Sequence, residues 1–322
     1  MTTIPIDADG AVRRSSLVAR GVPVGALYRA LADGELIRIG SGLFVPAASA
    51  RPDHRQRLMI GEVDSSPDAV FSHVSAAVLH GLPMLRPHLG DVHLTVPSPS
   101  ARLRGEFRCS HVEPLSRDEV VQVDDRWVTT LERTAVDVAA TTSMGFAGAL
   151  AVFDAALRMG AQPDVLAAIA GRRIGSAAVV RAALRHSSPC ADGVGESWCR
   201  AQMLLDGLPR PRLKTPVCTL GGVVLAEPDM DWNGVVLAEF DGASRRQRVR
   251  VPGDSMISAV WRTILRDEEL RRRGIRVLRF TWADLERHDV AAACRYALRR
   301  AGLVPTAQMP TGPMPTATAR TA

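Results

Sequence analysis

The dipeptide Asn233-Gly234, set between two short strand-like runs, constrains this chain more than any other feature. Asn-Gly readily supplies the two consecutive left-handed residues that the tightest β-hairpin turn requires. Before it stands Pro228-Asp229-Met230-Asp231-Trp232; after it comes Val235-Val236-Leu237-Ala238-Glu239-Phe240-Asp241-Gly242. The second run is apolar until Glu239, and strand side chains alternate, so Glu239 and Asp241 should leave the sheet on the same side. The hairpin returns Asp229 alongside Glu239. Two or three carboxylates at one sheet edge suit oxygen ligation of a hard divalent cation such as Mg²⁺. An ion held there can polarise a phosphodiester and activate a water. Carboxylates at strand ends are also commonly solvated or paired with arginine, and the run alone leaves that reading open.

The surroundings extend the pattern. Glu196 opens a helical segment, Glu196-Ser197-Trp198-Cys199-Arg200, and the order is then acidic helix, hairpin, acidic strand, arginine-rich helix and the strand Arg276–Phe280. Between Asp241 and Arg279 eleven arginines face five acids, a concentration that favours a phosphate backbone over a small neutral ligand. With Glu196-Ser197, Gly207-Leu208-Pro209, Asp229-x-x-Trp232, Glu239-x-Asp241-Gly242 and Gly274-Ile275-Arg276-Val277-Leu278-Arg279 in that order, the region resembles the PD-(D/E)xK nuclease superfamily. The branch it is similar to is that of very-short-patch-repair endonucleases, often fused to AbiEi-type antitoxin domains. The resemblance implies that Asp229 and Glu239 hold Mg²⁺, that Asp241 ligates or orients it, and that Glu196 positions a water or second cation. One departure bears on activity. The single lysine of the chain, Lys214, does not follow Glu239, and Arg245 stands where relatives commonly place lysine or histidine. Arginine can stabilise developing negative charge but stays protonated, so it cannot serve as a general base.

At the other end, residues 12–18 and 24–32 read as two short helices split by Gly21-Val22-Pro23. Leu36–Ile39 and Leu43–Val45 flank the turn Gly40-Ser41-Gly42 and read as a β-ribbon. Helix, turn, helix and ribbon form the outline of a small winged helix-turn-helix, whose second helix enters the major groove. The residues Gly21-Val22-Pro23, Leu27-Tyr28-Arg29-Ala30-Leu31 and Gly34 to Val45 resemble the AbiEi-type antitoxin N-terminal domain. On that resemblance Tyr28 and Arg29 face the groove, Arg13 and Arg14 the phosphate backbone, and Arg38 with Ser41 the wing. In the C-terminal part Arg262 and Arg266 are the expected backbone grips. Protein contact is the alternative role of such a domain, and the short second helix lacks the Asn, Gln and Lys that commonly read base edges.

Between these ends, residues 69–82 read as a helix capped by Ser72, with His73 and His80 a heptad apart on one face. Packing or hydrogen bonding is expected of them, since ligands on one helix usually sit three or four residues apart. Residues 92–96, 107–112 and 120–123 read as strands, and Thr129–Ala139 as an amphipathic helix on which Arg133 and Asp137 form a surface ion pair. Residues 145–184 are alanine-rich and helical, broken at Gln162-Pro163 and Gly171–Gly175, and residues 305–322 are expected to be disordered.

The formal charge of +6 and pI near 9.6 suit an anionic partner. Five scattered cysteines with no C-x-x-C spacing indicate neither a disulfide framework nor a zinc site. No apolar run is long enough for a membrane span, no secretory leader is expected, and the expected compartment is the cytoplasm. The fold class expected is α+β: a winged helix-turn-helix over 1–50, an AbiEi-like α/β and helical region over 51–188, a restriction-endonuclease-like α/β/α domain over 189–301 and a tail over 302–322. The expected function is double-stranded DNA binding by a transcriptional regulator or antitoxin, with a cognate toxin as a further partner. Mg-dependent DNA cleavage and purely protein-binding antitoxin action are the alternatives.

Overall fold

The computed structural model describes residues 4–49, 51–99, 106–173, 176–219, 221–242 and 256–304. It is a mixed α and β architecture, and the chain divides into two compact units: residues 1–142 with 161–177, and residues 143–160 with 178–322.

The first unit begins with β1 (Val12–Arg13), α1 (Arg14–Ala19), α2 (Val24–Ala32), β2 (Leu36–Gly40) and β3 (Leu43–Pro46). These strands form an antiparallel sheet in the order β1-β3-β2. Val12 and Arg13, expected to open the first helix, instead pair with Phe44 and Leu43, which buries the β-branched Val12 completely. Pro23 stands at the N-cap of α2, where its fixed φ and missing N–H cost nothing. Ala26, Leu27 and Ala30 are buried at helical spacing, and Leu27 and Ala30 close a small core with Val12, Leu17, Leu36 and Phe44. Gly42, at φ +71°, makes the ribbon turn a place for glycine.

The chain continues through α3 (Pro52–Gly61), β4 (Val70–Phe71), α4 (His73–His80), β5 (Val92–Val96), β6 (Arg108–Val112), β7 (Val120–Val123), β8 (Arg126–Thr129) and α5 (Leu131–Thr141). The sheet order is β6-β5-β4-β8-β7, with β5 and β6 parallel and β6 at an edge. The pair expected at the surface lies inside. Arg133 and Asp137 are both buried, Arg133 Nε donating to Asp137 Oδ1 across 2.9 Å. Arg133 also meets Glu113 and Glu119, and Arg173 meets Glu113 and Asp137, so several charges neutralise one another beneath the surface. His73 and His80 part company: His80 Nε2 donates to the Thr129 carbonyl at 2.7 Å, while His73 turns to the strands.

After α6 (Gly145–Arg158), which belongs to the second unit, α7 (Pro163–Gly171) returns to pack on α5. The second unit then runs through α8 (Ala177–His186), α9 (Val194–Leu205), β9 (Arg212–Leu213), the hairpin β10 (Val217–Cys218) with β11 (Val224–Ala226), β12 (Met230–Trp232), β13 (Val236–Phe240), α10 (Met256–Arg272), β14 (Arg276–Phe280), α11 (Trp282–Glu286) and α12 (Val290–Arg300). Its main sheet has the order β14-β13-β12-β9; β13 and β14 are parallel and the other neighbours antiparallel. The turn between β12 and β13 holds Asn233 at φ +56° and Gly234 at φ +68°, as the expected hairpin requires. Asp231 fixes it, accepting from the Gly234 amide at 2.6 Å and pairing with Arg212. Leu237, Leu270, Val217 and Ala226 form one core cluster of this unit. Asp154 of α6 is fully buried and accepts from Ser197 Oγ and Arg200 of α9, each at 2.7 Å. Ser197, beside Glu196, therefore anchors the helix that carries the acid. Residues 305–322, the expected tail, lie outside the described residues. No helix of the described residues is long and apolar enough to cross a membrane.

Candidate functional site

The hairpin register, Met230 opposite Ala238, sets Asp229 and Glu239 at neighbouring positions on adjacent strands. Both are buried, at 4% and 2% exposure. Asp229 Oδ2 accepts the Phe240 amide at 2.7 Å, so the carboxylate is tied to the end of the adjoining strand. Its other oxygen, Oδ1, accepts from Lys214 Nζ at 2.5 Å. The same ammonium lies 2.8 Å from Asp192 Oδ2 and 3.4 Å from Glu196 Oε2. Three carboxylates thus share one ammonium. Burial pushes the Glu196 carboxyl above its ordinary range, and the neighbouring Asp229 charge pushes it further. Burial works against the Lys214 ammonium, but hydrogen bonds to Asp192 and Asp229 win and lift it above its ordinary value.

Glu196 reaches this place because α9 approaches β13 at Gly195. A Cβ there would stand 2.1 Å from Phe240 Cε1, so only glycine allows the helix so close to the aromatic ring.

Glu239 has other partners. Its Oε2 lies 3.1 Å from Arg266 of α10 and 3.3 Å from Arg279 of β14, whose backbone is in register with it. Arg279 and Arg266 also bind Asp267. Asp241 is half-buried, its amide donating to the Phe280 carbonyl at 2.7 Å, and its carboxylate has no partner among the described residues. The expected trio is therefore divided: Asp229 joins Glu196 around a lysine, and Glu239 joins Asp267 around two arginines. Among the described residues, Asp229, Glu239 and Asp241 do not bring their oxygens together as a three-donor group, and the side chains that do so are histidines of the other unit. As placed, Asp229 faces an ammonium and Glu239 two guanidinium groups, which a Mg²⁺ ion would have to displace. Arg245 lies outside the described residues, as does the side chain of Arg262.

Lys214 and Asp192 are site residues that the sequence reading missed. Lys214 arrives because β9 pairs with β12 through Leu213 and Met230, which carries the next residue, Lys214, to Asp229. The strand is only Arg212–Leu213, too short to show alternation.

In the first unit, α2 presents Tyr28, 61% exposed, and Arg29, while Arg14 is exposed at the start of α1. Arg29 Nε donates to the Gly25 carbonyl at 3.3 Å, a light tether that leaves the guanidinium at the surface. Arg13 is held by Asp7, Asp9 and Glu62, and Arg38 pairs with Glu106 while lying 5.6 Å from the Phe107 ring centre. Those two cations have internal counter-charges. A shallow groove between α1 and the ribbon turn is lined by Arg14, Ser15, Val18, Ser41 and Gly42.

No model of a known protein family matches the chain, and no curated protein matches it either.

Proposed function

We propose that the protein binds double-stranded DNA as a transcriptional regulator or antitoxin of an AbiEi-like toxin–antitoxin system. On this reading residues 1–50 are a winged helix-turn-helix and residues 189–301 a PD-(D/E)xK-like domain. The observation that carries it is the outward face of α2. A buried stripe of Ala26, Leu27 and Ala30 fixes the helix, and Tyr28 and Arg29 are left at the surface. A helix backed by a three-stranded ribbon sheet, with a cation and an aromatic ring outward, suits insertion into a major groove. The phosphate contacts make binding salt-dependent and independent of divalent ions.

The test is titration of the full chain into labelled duplexes, including the DNA upstream of its own gene, without divalent ions. Binding that weakens steeply with salt, and weakens at least about tenfold in Arg29→Ala at fixed salt, supports the reading. Binding unchanged by Arg29→Ala contradicts it. If the protein instead captures a cognate toxin and ignores DNA, the protein-binding antitoxin reading takes its place.

A second reading, divalent-ion-dependent DNA cleavage by the second unit, is favoured by one observation: half-buried Glu196 and buried Asp229 share a lysine at the end of the sheet. The element order α9, β9, β12, β13, α10 and β14 also supports a nuclease-like build. For cleavage the acids must exchange their lysine and arginine partners for an ion. Nicking that needs Mg²⁺ and is abolished by Asp229→Ala supports this reading, and its absence leaves the second unit a binding module.

A further inference from the structure

The imidazoles of His73, His93 and His111 meet in the first unit, their ligand nitrogens all within 4.8 Å of one another. No role in DNA binding or cleavage uses them. The fold converges them deliberately from three elements. β5 and β6 run parallel with His93 beside Cys109 and Thr95 beside His111, so His93, Cys109 and His111 all leave the same face of the sheet. His73 comes from the first position of α4, held at φ +52°, a left-handed conformation uncommon for a residue with a side chain. Its ring stacks on that of His111 with centres 3.5 Å apart. His93 Nδ1 is 2.9 Å from His111 Nε2, and Cys109 Sγ is 3.6 Å from the same nitrogen.

We propose that His73, His93 and His111, with Cys109 as fourth donor, bind one zinc-class divalent transition-metal ion.

The donor chemistry selects the ion class. Imidazole nitrogens and a thiolate suit zinc and its borderline-soft neighbours, whereas Mg²⁺ requires oxygens. Ligating histidines must be neutral, and burial, which disfavours the charged imidazolium, works in that direction. Burial drives His73 far below its ordinary value, and burial with mutual repulsion holds His93 near about 4. His111 is also held at about 4, by burial and by Arg173.

The orientation of His73 adds an independent sign. Its Nδ1 lies 2.9 Å from Ser72 Oγ and 4.0 Å from Asp137 Oδ2, which leaves Nε2 for a ligand. A group hydrogen-bonded to the second ring nitrogen commonly orients a metal-bound histidine, and here that group is Ser72 Oγ. The nearby cations Arg133 and Arg173 are matched by Glu113, Glu119 and Asp137, so the field at the cluster is not simply repulsive to a dication. Stacked rings cannot aim their lone pairs at one point. Binding therefore requires the His73 and His111 rings to splay, and His111 stands half-buried on the edge strand β6, where it has room to turn.

The ion would tie the start of α4 to the edge strand. The experiment uses the full chain, free of an affinity tag, stripped with chelator and titrated with Zn²⁺ alone, with Mg²⁺ as the comparison. One zinc per chain is expected, with at least about a hundredfold weaker binding in His93→Gln and in His111→Asn. A double Cys190→Ser, Cys218→Ser control, which removes exposed thiols outside the cluster, is expected to bind as the parent does. In the Co²⁺-loaded protein a thiolate charge-transfer band should appear and vanish in Cys109→Ser. Circular dichroism on the metal-free variants checks that each is folded; both histidines changed are only partly buried, so their replacement is tolerable. Absence of stoichiometric zinc binding, or binding unaltered in the histidine variants, overturns the site. A cobalt band that persists in Cys109→Ser overturns the assignment of the fourth donor.

Discussion

Lys214 Nζ stands 2.5 Å from Asp229 Oδ1, and Lys214 is the only lysine in a chain rich in arginine. An ammonium on a flexible stem can meet Asp192, Glu196 and Asp229 together, whereas the planar guanidinium is suited to flat bidentate pairing. Replacing it tests whether this group holds the second unit together. Lys214→Met is expected to lower stability by about 3 kcal/mol, because the buried Asp229 carboxylate loses its counter-charge. Lys214→Arg should cost less. Urea unfolding of the full chain measures both, and a loss below about 0.5 kcal/mol for Lys214→Met would show that the acids are balanced by other groups.

Glu196 gives the same cluster a pH signature. Its carboxyl holds a proton more tightly when folded than in an unfolded chain, where it titrates near 4.5. Between that value and the higher folded one the native state binds more protons, so stability falls as pH rises through the window. Glu196→Gln removes the titrating group and should flatten that part of the stability profile while raising stability at neutral pH. A profile identical to the parent's would contradict the assignment.

Gly195 is required by contact. Gly195→Ala drives a methyl into Phe240, at 2.1 Å from Cε1, and overpacking of this kind costs about 1–3 kcal/mol. The double variant Gly195→Ala, Phe240→Leu should recover much of the loss, and thermal melts of the single and double variants decide it. Equal melting of Gly195→Ala and parent would mean that α9 does not lie so near the strand.

The three histidines predict acid sensitivity of the metal-free first unit. His93 and His111 are held near about 4 when folded, against about 6.5 in an unfolded chain. Their contribution is complete above about 6.5 and is lost as the pH falls toward about 4, where the unfolded state takes up more protons. With chelator present, the double variant His93→Gln, His111→Gln should show a shallower decline over that window in denaturant titrations. An unchanged slope would mean that the rings titrate normally.

Much of the second unit was legible because its signals are local. Asn233-Gly234 demands a turn, the apolar run to Glu239 demands a buried strand, and together they fix the register that sets Asp229 near Glu239. The destination of each carboxylate was not legible. Partner choice depends on Lys214, Arg266 and Arg279, brought from a two-residue strand, a helix and a parallel strand whose approach no local pattern encodes. In the first unit the ribbon and α2 followed from glycine, proline and apolar spacing, but Val12 passed from helix to sheet because pairing with Phe44 buried it. Arg133 and Asp137 read as a surface pair because i, i+4 spacing is the same inside and out; the acids that make burial tolerable, Glu113 and Glu119, come from another part of the chain. The histidine trio was invisible for a similar reason. His73, His93 and His111 share no helix spacing and meet only through the parallel pairing of β5 with β6.

The central claim is that the exposed face of α2 reads a DNA duplex, and the most direct measurement is the salt dependence of duplex affinity for the full chain and for Tyr28→Ala, Arg29→Ala. The account predicts a linear fall of log affinity with log salt in the parent, and in the double variant a loss of at least about tenfold at every salt concentration, because the groove contacts are removed and the phosphate contacts are kept. Identical affinity in the two proteins, with both folded, would contradict it.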